Sequence, residues 1–185
     1  MKLLGKTLKA GLVLALAVTL GATASMAQKK KAKCKDGETD QIAKYELGKG
    51  ENLASAINAS LTGKAGDAKM GLKWMTHRRL GNCIACHEIK QVSNLAKPDD
   101  LNSLKKYAFH GEVGPALDGV AGRYTEGELR LLIVDIKKAM PDADSIMPSF
   151  HRADGFNRVH KDCVGQVVLS AERVEDVVAY LKTLK

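Results

Sequence analysis

Gly81-Asn82-Cys83-Ile84-Ala85-Cys86-His87 decides how this chain of 185 residues is read. Two thiols three positions apart can each form a thioether with one vinyl group of a porphyrin. The residue that follows then brings an imidazole to the iron. Cys83 and Cys86 are therefore expected to anchor one covalent haem c, with His87 as the proximal metal ligand. A zinc half-site or a thiol–disulfide redox pair would use the same Cys-x-x-Cys spacing. Zinc needs a second ligand pair, and the remaining cysteines, Cys34 and Cys163, are isolated and far apart. A redox pair has no use for the adjacent histidine and normally follows a strand.

Upstream, Met1–Ala27 has the physics of a secretory leader. Lys2, Lys6 and Lys9 give a basic start, residues 11–20 are an apolar run, and Ser25-Met26-Ala27 fits the small-x-small cleavage rule. Cleavage after Ala27 places the mature start at Gln28; cleavage after Ala24 is the alternative. No later segment reaches the ~18 apolar residues of a membrane span. The chain is thus expected to be exported to the periplasm, which agrees with attachment of haem c outside the cytoplasm. The mature length suits one domain with its own core.

Three of the 29 Lys and Arg leave with the leader, so 26 stand against 21 acidic residues, a net charge of +5. Few aromatics and no nucleic-acid motif argue against a nucleic-acid partner. The positive charge suits either an ordinary solvated surface or the steering of an acidic redox partner. Residues 28–35 form a lysine-rich arm of the kind that stays solvated. In an oxidising compartment Cys34 and Cys163 are expected to form a disulfide. Free thiols or an intermolecular bridge are the alternatives.

Beyond the arm, residues 40–60 read as a short helix or an extended strap. Asp67 is placed to cap a helix over residues 68–80. Gly71 lowers that helix's propensity, which close contact with another helix would explain, and Tyr180 on the final helix is the expected neighbour. Residues 88–110 read as irregular, with a turn or short helix from Pro98. In Gly111–Gly119, a Gly-Pro turn offers the Pro115 carbonyl to the Nδ1 hydrogen of His87, which would orient the imidazole. Thr125 and Glu128 form a capping box for a helix ending near Lys138, with Leu129, Leu132, Ile133 and Ile136 on one face. The proline-bounded loop after it carries two soft sulfur donors, Met140 and Met147. Met147, beside Pro148, is favoured as the distal ligand, and His/Met ligation raises a haem potential. His151 is read as a surface histidine able to reach iron only if Met147 does not. Ser170 caps a final amphipathic helix with Val174, Val177, Val178, Leu181 and Leu184 in one stripe.

Helix, Cys-x-x-Cys-His, Gly-Pro turn, loop methionine and C-terminal helix stand in the order of a class I cytochrome c. Residues 61–67, 81–87, 111–115, 147–150 and 174–181 further resemble SoxX-type cytochromes, the monohaem subunits of SoxAX complexes of bacterial sulfur oxidation. The resemblance implies an all-α class I cytochrome c fold over 61–185, with 28–60 as an N-terminal extension. It also implies a haem-bearing SoxA-like partner that holds the catalytic centre. That complex would join thiosulfate oxidatively to a cysteine of a sulfur-carrier protein. This chain would have no catalytic residue of its own and would pass electrons to a soluble cytochrome acceptor. A free-standing electron shuttle and a self-sufficient thiosulfate dehydrogenase-like enzyme are the competing readings.

Overall fold

A computed structural model describes residues 42–185. The leader, the lysine-rich arm and Cys34 lie outside the described residues, so the expected cleavage site and the Cys34–Cys163 disulfide do too. Among the described residues the free thiols are Cys83 and Cys86.

Among the described residues the fold is helical, as expected, with one two-stranded ribbon. β1 (Gly48–Lys49) pairs antiparallel with β2 (Ser55–Ala56), Gly48 opposite Ala56. Residues 40–60 thus take the extended form, not the helical one, over their described part. α1 (Ala68–Thr76) starts where Asp67 accepts hydrogen bonds from the amides of Lys69 and Met70. It ends at Thr76, four residues before the expected Leu80, with His77 as its C-cap. The stretch 88–110, expected to be irregular, holds α2 (Lys90–Ser93) and α3 (Leu101–Tyr107), the latter capped by Asp100. After α4 (Val120–Arg123) comes α5 (Glu126–Val134), whose capping box closes in both directions between Thr125 and Glu128. The expected single helix then breaks at Asp135 and resumes as α6 (Ile136–Ala139). α7 (Ala171–Leu181) is capped by Ser170.

α1 and α7 form the principal helix pair, and small residues let them approach. A Cβ built on Gly71 would lie 2.0 Å from the Asp176 carbonyl oxygen and 2.8 Å from Tyr180 Cβ. That explains a glycine that costs roughly 1 kcal/mol against alanine by propensity alone. Trp74, half-buried beside it, donates Nε1–H to Asp176 Oδ2 at 2.9 Å, which leaves it a packing anchor.

Two buried carboxylates fasten the N-terminal strap to the helices. Glu175 of α7 pairs with Arg130 of α5 at 2.8 Å, and both are almost fully buried. Arg130 also donates to the Ile57 carbonyl at 2.6 Å, and Glu175 accepts the Leu61 amide at 2.8 Å. Glu128, besides completing the capping box, accepts the amides of Asn52 and Leu53 and the Asn52 side-chain amide. Burial alone would push its carboxyl up. The bonds from the Asn52 side chain and from the Thr125, Leu53 and Asn52 amides outweigh that and lower it from 4.5 to about 2.

The sign of the pH effect follows. As acid is added, the unfolded chain takes up a proton at Glu128 first, near the ordinary value, while the folded chain stays ionised. Stability from this group is complete above pH about 4.5 and is lost as pH falls from there toward about 2. Glu128→Gln should flatten that part of the acid-unfolding curve and cost roughly 2 kcal/mol at neutral pH, read by chemical denaturation.

Candidate haem site

The Cys-x-x-Cys-His stretch is a tight turn. Asn82 takes a left-handed conformation (φ 45°), which asparagine tolerates better than most residues, and Cys83–Ala85 is one turn of 3-10 helix. The amides of Cys86 and His87 both donate to the Cys83 carbonyl, at 3.1 and 3.0 Å. Burial pushes the Cys83 thiol up to about 12, so this sulfur favours a neutral form.

Residues 111–118 run alongside this turn and are stitched to it. Gly111 donates to the Ile84 carbonyl at 2.9 Å, Gly114 to that of Cys86 at 2.7 Å, and Leu117 to that of Glu88 at 2.9 Å. The ladder delivers the Pro115 carbonyl to His87 Nδ1 at 2.7 Å, the contact anticipated from the Gly-Pro turn. With Nδ1 engaged, Nε2 is the nitrogen left for iron. Gly114 is the residue that permits this. A Cβ there would lie 2.4 Å from His87 Cε1 and 2.6 Å from Nδ1. Gly114→Ala should therefore displace the imidazole or its turn. The expected cost is ~1–3 kcal/mol of overpacking, together with a lower ratio of covalent haem to protein, measured by absorbance and mass.

Arg123 was not anticipated. Its guanidinium donates to the Ala116 carbonyl at 2.7 Å and the Asp118 carbonyl at 3.1 Å, bracing the segment that holds Pro115. No motif or periodicity marks it in the sequence, because both its partners are backbone atoms.

Cys83, Cys86 and His87 open onto a cavity of about 970 Å³. That is near the upper end of the ~300–1,000 Å³ usual for small-molecule sites. Leu129, Leu132 and Ile133 of α5 and Ile136 of α6, the stripe expected on one face of a single helix, all line it. So do both candidate sulfur donors, Met140 and Met147, each partly buried. Met140 sits at the C-terminal cap of α6 and Met147 in the loop beyond. A haem fits this donor set: two thiols at one edge, an imidazole fixed through its far nitrogen, methionine sulfur in the wall, and an apolar lining.

His151 corrects the sequence reading. It is fully buried, not on the surface. Its Nδ1 donates to the Leu169 carbonyl at 2.8 Å, and Nε2 accepts the Ala43 amide at 2.9 Å. Both nitrogens are occupied, so it clasps the strap and is not positioned as an iron ligand. His110 is also drawn inward, its Nδ1 accepting the Ile89 amide at 3.0 Å. His160 is exposed, as expected.

A family model for cytochrome c matches residues 78–185. Among solved structures, the chain is similar to one in the crystal structure of SoxXA from P. pantotrophus. Identity is 37% and the TM-score 0.54, over 70% of this chain and 90% of that one. The chain is a SoxX-type member of the cytochrome c family. Among curated proteins none matches it significantly. Membership of this family makes the cofactor of this SoxX-type cytochrome a covalently bound haem c. Among the described residues no helix is long and apolar enough to cross a membrane.

Proposed function

We propose that this SoxX-type cytochrome is the electron-relay subunit of a periplasmic SoxAX-like complex. The complex conjugates thiosulfate oxidatively to a cysteine of a sulfur-carrier protein. The observation that carries this reading is the 37% identity to a chain of SoxXA across 90% of that chain's length. Cys83 and Cys86 would hold the haem covalently, and His87 and Met147 would ligate its iron. The Pro115 carbonyl keeps the imidazole in one tautomer and one orientation. The haem supplies one-electron transfer when bound. An iron held by both His87 and Met147 would leave no site for substrate, which assigns the catalytic centre to the SoxA-like partner. A soluble cytochrome is the acceptor. Residues 1–27 are the cleaved leader, 28–60 the extension and 61–185 the haem domain. Cys34 is bonded to Cys163 and ties the extension down.

The test is to purify the native protein from its exporting host and look for a second haem-bearing subunit. Co-purification, with thiosulfate oxidation only by the complex, is the expected result. A chain that purifies alone and exchanges electrons without a partner enzyme would be a free shuttle. One that turns over thiosulfate alone would overturn the relay. Mass spectrometry of the same sample, alkylated before and after reduction, should show one haem and two cysteines reactive only after reduction.

A further inference from the structure

Loop 141–149 carries Met147 without helix or strand of its own, so its position rests on individual side-chain and turn hydrogen bonds. On the near side, Lys137 Nζ donates to the Ser145 carbonyl at 2.5 Å, and the Met147 amide donates to Ser145 Oγ at 3.3 Å. On the far side, Pro148 fixes one backbone angle and Ser149 Oγ then donates to Asp135 Oδ1 at 2.8 Å. The Phe150 amide donates to the Ile133 carbonyl at 3.0 Å, which returns the chain to the end of α5.

Asp135 is the unusual member of this set. It stands at the N-cap position of α6, where an aspartate ordinarily accepts the helix's first free amides. Here it makes no side-chain cap bond. Its carboxylate, 1% exposed, is given instead to Ser149 and to the Arg152 guanidinium, at 3.3 and 3.4 Å. Arg152 is steadied in turn by Asp154 at 3.0 Å. A buried carboxylate is retained only where it is bonded, and these bonds to a charged group are of the stronger kind.

We propose that Asp135 is a positioning residue for the distal ligand: through Ser149 it holds the Met147 loop closed and sets how readily the methionine sulfur leaves the iron. The inference rests on Met147 being that ligand. A thioether is a neutral, weakly held donor that stronger bases displace from ferric iron as pH rises. Displacement needs the loop to open, and opening must break the Ser149–Asp135 bond. The pH at which the sulfur is lost therefore reports how firmly the loop is held.

The experiment uses the full-length holoprotein. The readout is the pH midpoint for loss of the weak far-red absorption of the methionine–ferric iron bond, with the melting temperature measured alongside. Ser149→Ala should lower the midpoint by about one unit, a tenfold weakening of the closed state. Asp135→Asn should lower it at least as far. The double variant should move no further than the larger single one, because both remove the same contact. Ser149→Thr, which keeps the hydroxyl, should hold the original midpoint. Glu128→Gln, which weakens the fold away from this loop, should lower the melting temperature without moving the midpoint. An unmoved midpoint in Ser149→Ala, additive shifts, or an equal shift in Glu128→Gln would overturn the inference. If Asp135→Asn does not fold, the Ser149→Ala and Ser149→Thr pair decides alone. Loss of the band in Met147→Ala with no shift in Ser149→Ala overturns only the role of Asp135. Retention of the band in Met147→Ala overturns the ligand assignment as well.

Discussion

Met147→Ala is expected to remove the sulfur donor from the haem iron while leaving the covalent haem in place. The methionine thioether is a soft donor that favours ferrous over ferric iron, so its loss should lower the reduction potential. Axial ligation spans ~0.8 V among haem proteins, and a drop of roughly 0.2 V is the expected scale. The vacated position should then bind added imidazole or cyanide, which the parent protein resists. Met140→Ala is the control that gives the test its force, because both sulfurs line the same cavity. Met140 is capped into the end of α6, its amide bonded to the Ile136 carbonyl at 2.9 Å. Its truncation should remove packing and cost stability with little effect on potential or ligand binding. Potentiometric titration and ligand-binding spectra of the two variants separate the roles. Reversed results would transfer the ligand to Met140.

Arg130→Ala should produce the largest loss of stability. Its guanidinium reaches four oxygen atoms: Glu175 Oε1 and Oε2, the Ile57 carbonyl and Glu126 Oε1. Truncation leaves the Glu175 carboxylate buried without its guanidinium, still accepting the Leu61 amide, and it strands the Ile57 carbonyl. Breaking a buried pair from one side costs ~3–5 kcal/mol, most of it the penalty on the charge left behind. For a chain of this size that is a fall of about 10 °C or more in melting temperature, measured by circular dichroism. Lys182, which pairs with Glu126 at the surface with both side chains about half exposed, is the contrast. Lys182→Ala should cost less than ~1 kcal/mol, because solvent screens that pair and its side-chain entropy is recovered. Near-equal losses in the two variants would show that Arg130 owes its effect to its packed stem and not to charge.

Function was legible where chemistry imposes a local spacing. Cys83, Cys86 and His87 stand at the spacing by which one porphyrin can be reached from one turn, and the cavity opens onto all three. The contact of Pro115 with His87 was also foreseen, because a Gly-Pro turn interrupts regular backbone pairing and leaves a carbonyl able to accept. Helix starts were read correctly at Asp67, Thr125 and Ser170, because a cap is a bond within three residues. Helix ends were read less well. The break at Asp135 is one case: its carboxylate is claimed by Ser149 and Arg152, 14 and 17 residues away, and no local pattern records that. His151 is another. A histidine in a polar loop looks exposed until the strap at Ala43 and the carbonyl of Leu169 close over it.

Sequence by itself pointed to the cofactor and the helical class, and it singled out Cys83, Cys86 and His87 as the anchors and proximal ligand expected for that cofactor. Each is fixed by bonds between residues close along the chain, whose geometry does not depend on the rest of the fold. Tertiary structure alone decided that Glu128, Arg130 and Glu175 are buried clamps on the N-terminal strap. It also decided that Gly114 marks a close approach to the His87 ring, and that the Asp135 carboxylate bonds Ser149 of the methionine loop and not its own helix. Those roles rest on partners brought together from distant segments, and the free energy of burying a charge or excluding a Cβ depends on what surrounds it, which spacing along the chain does not encode.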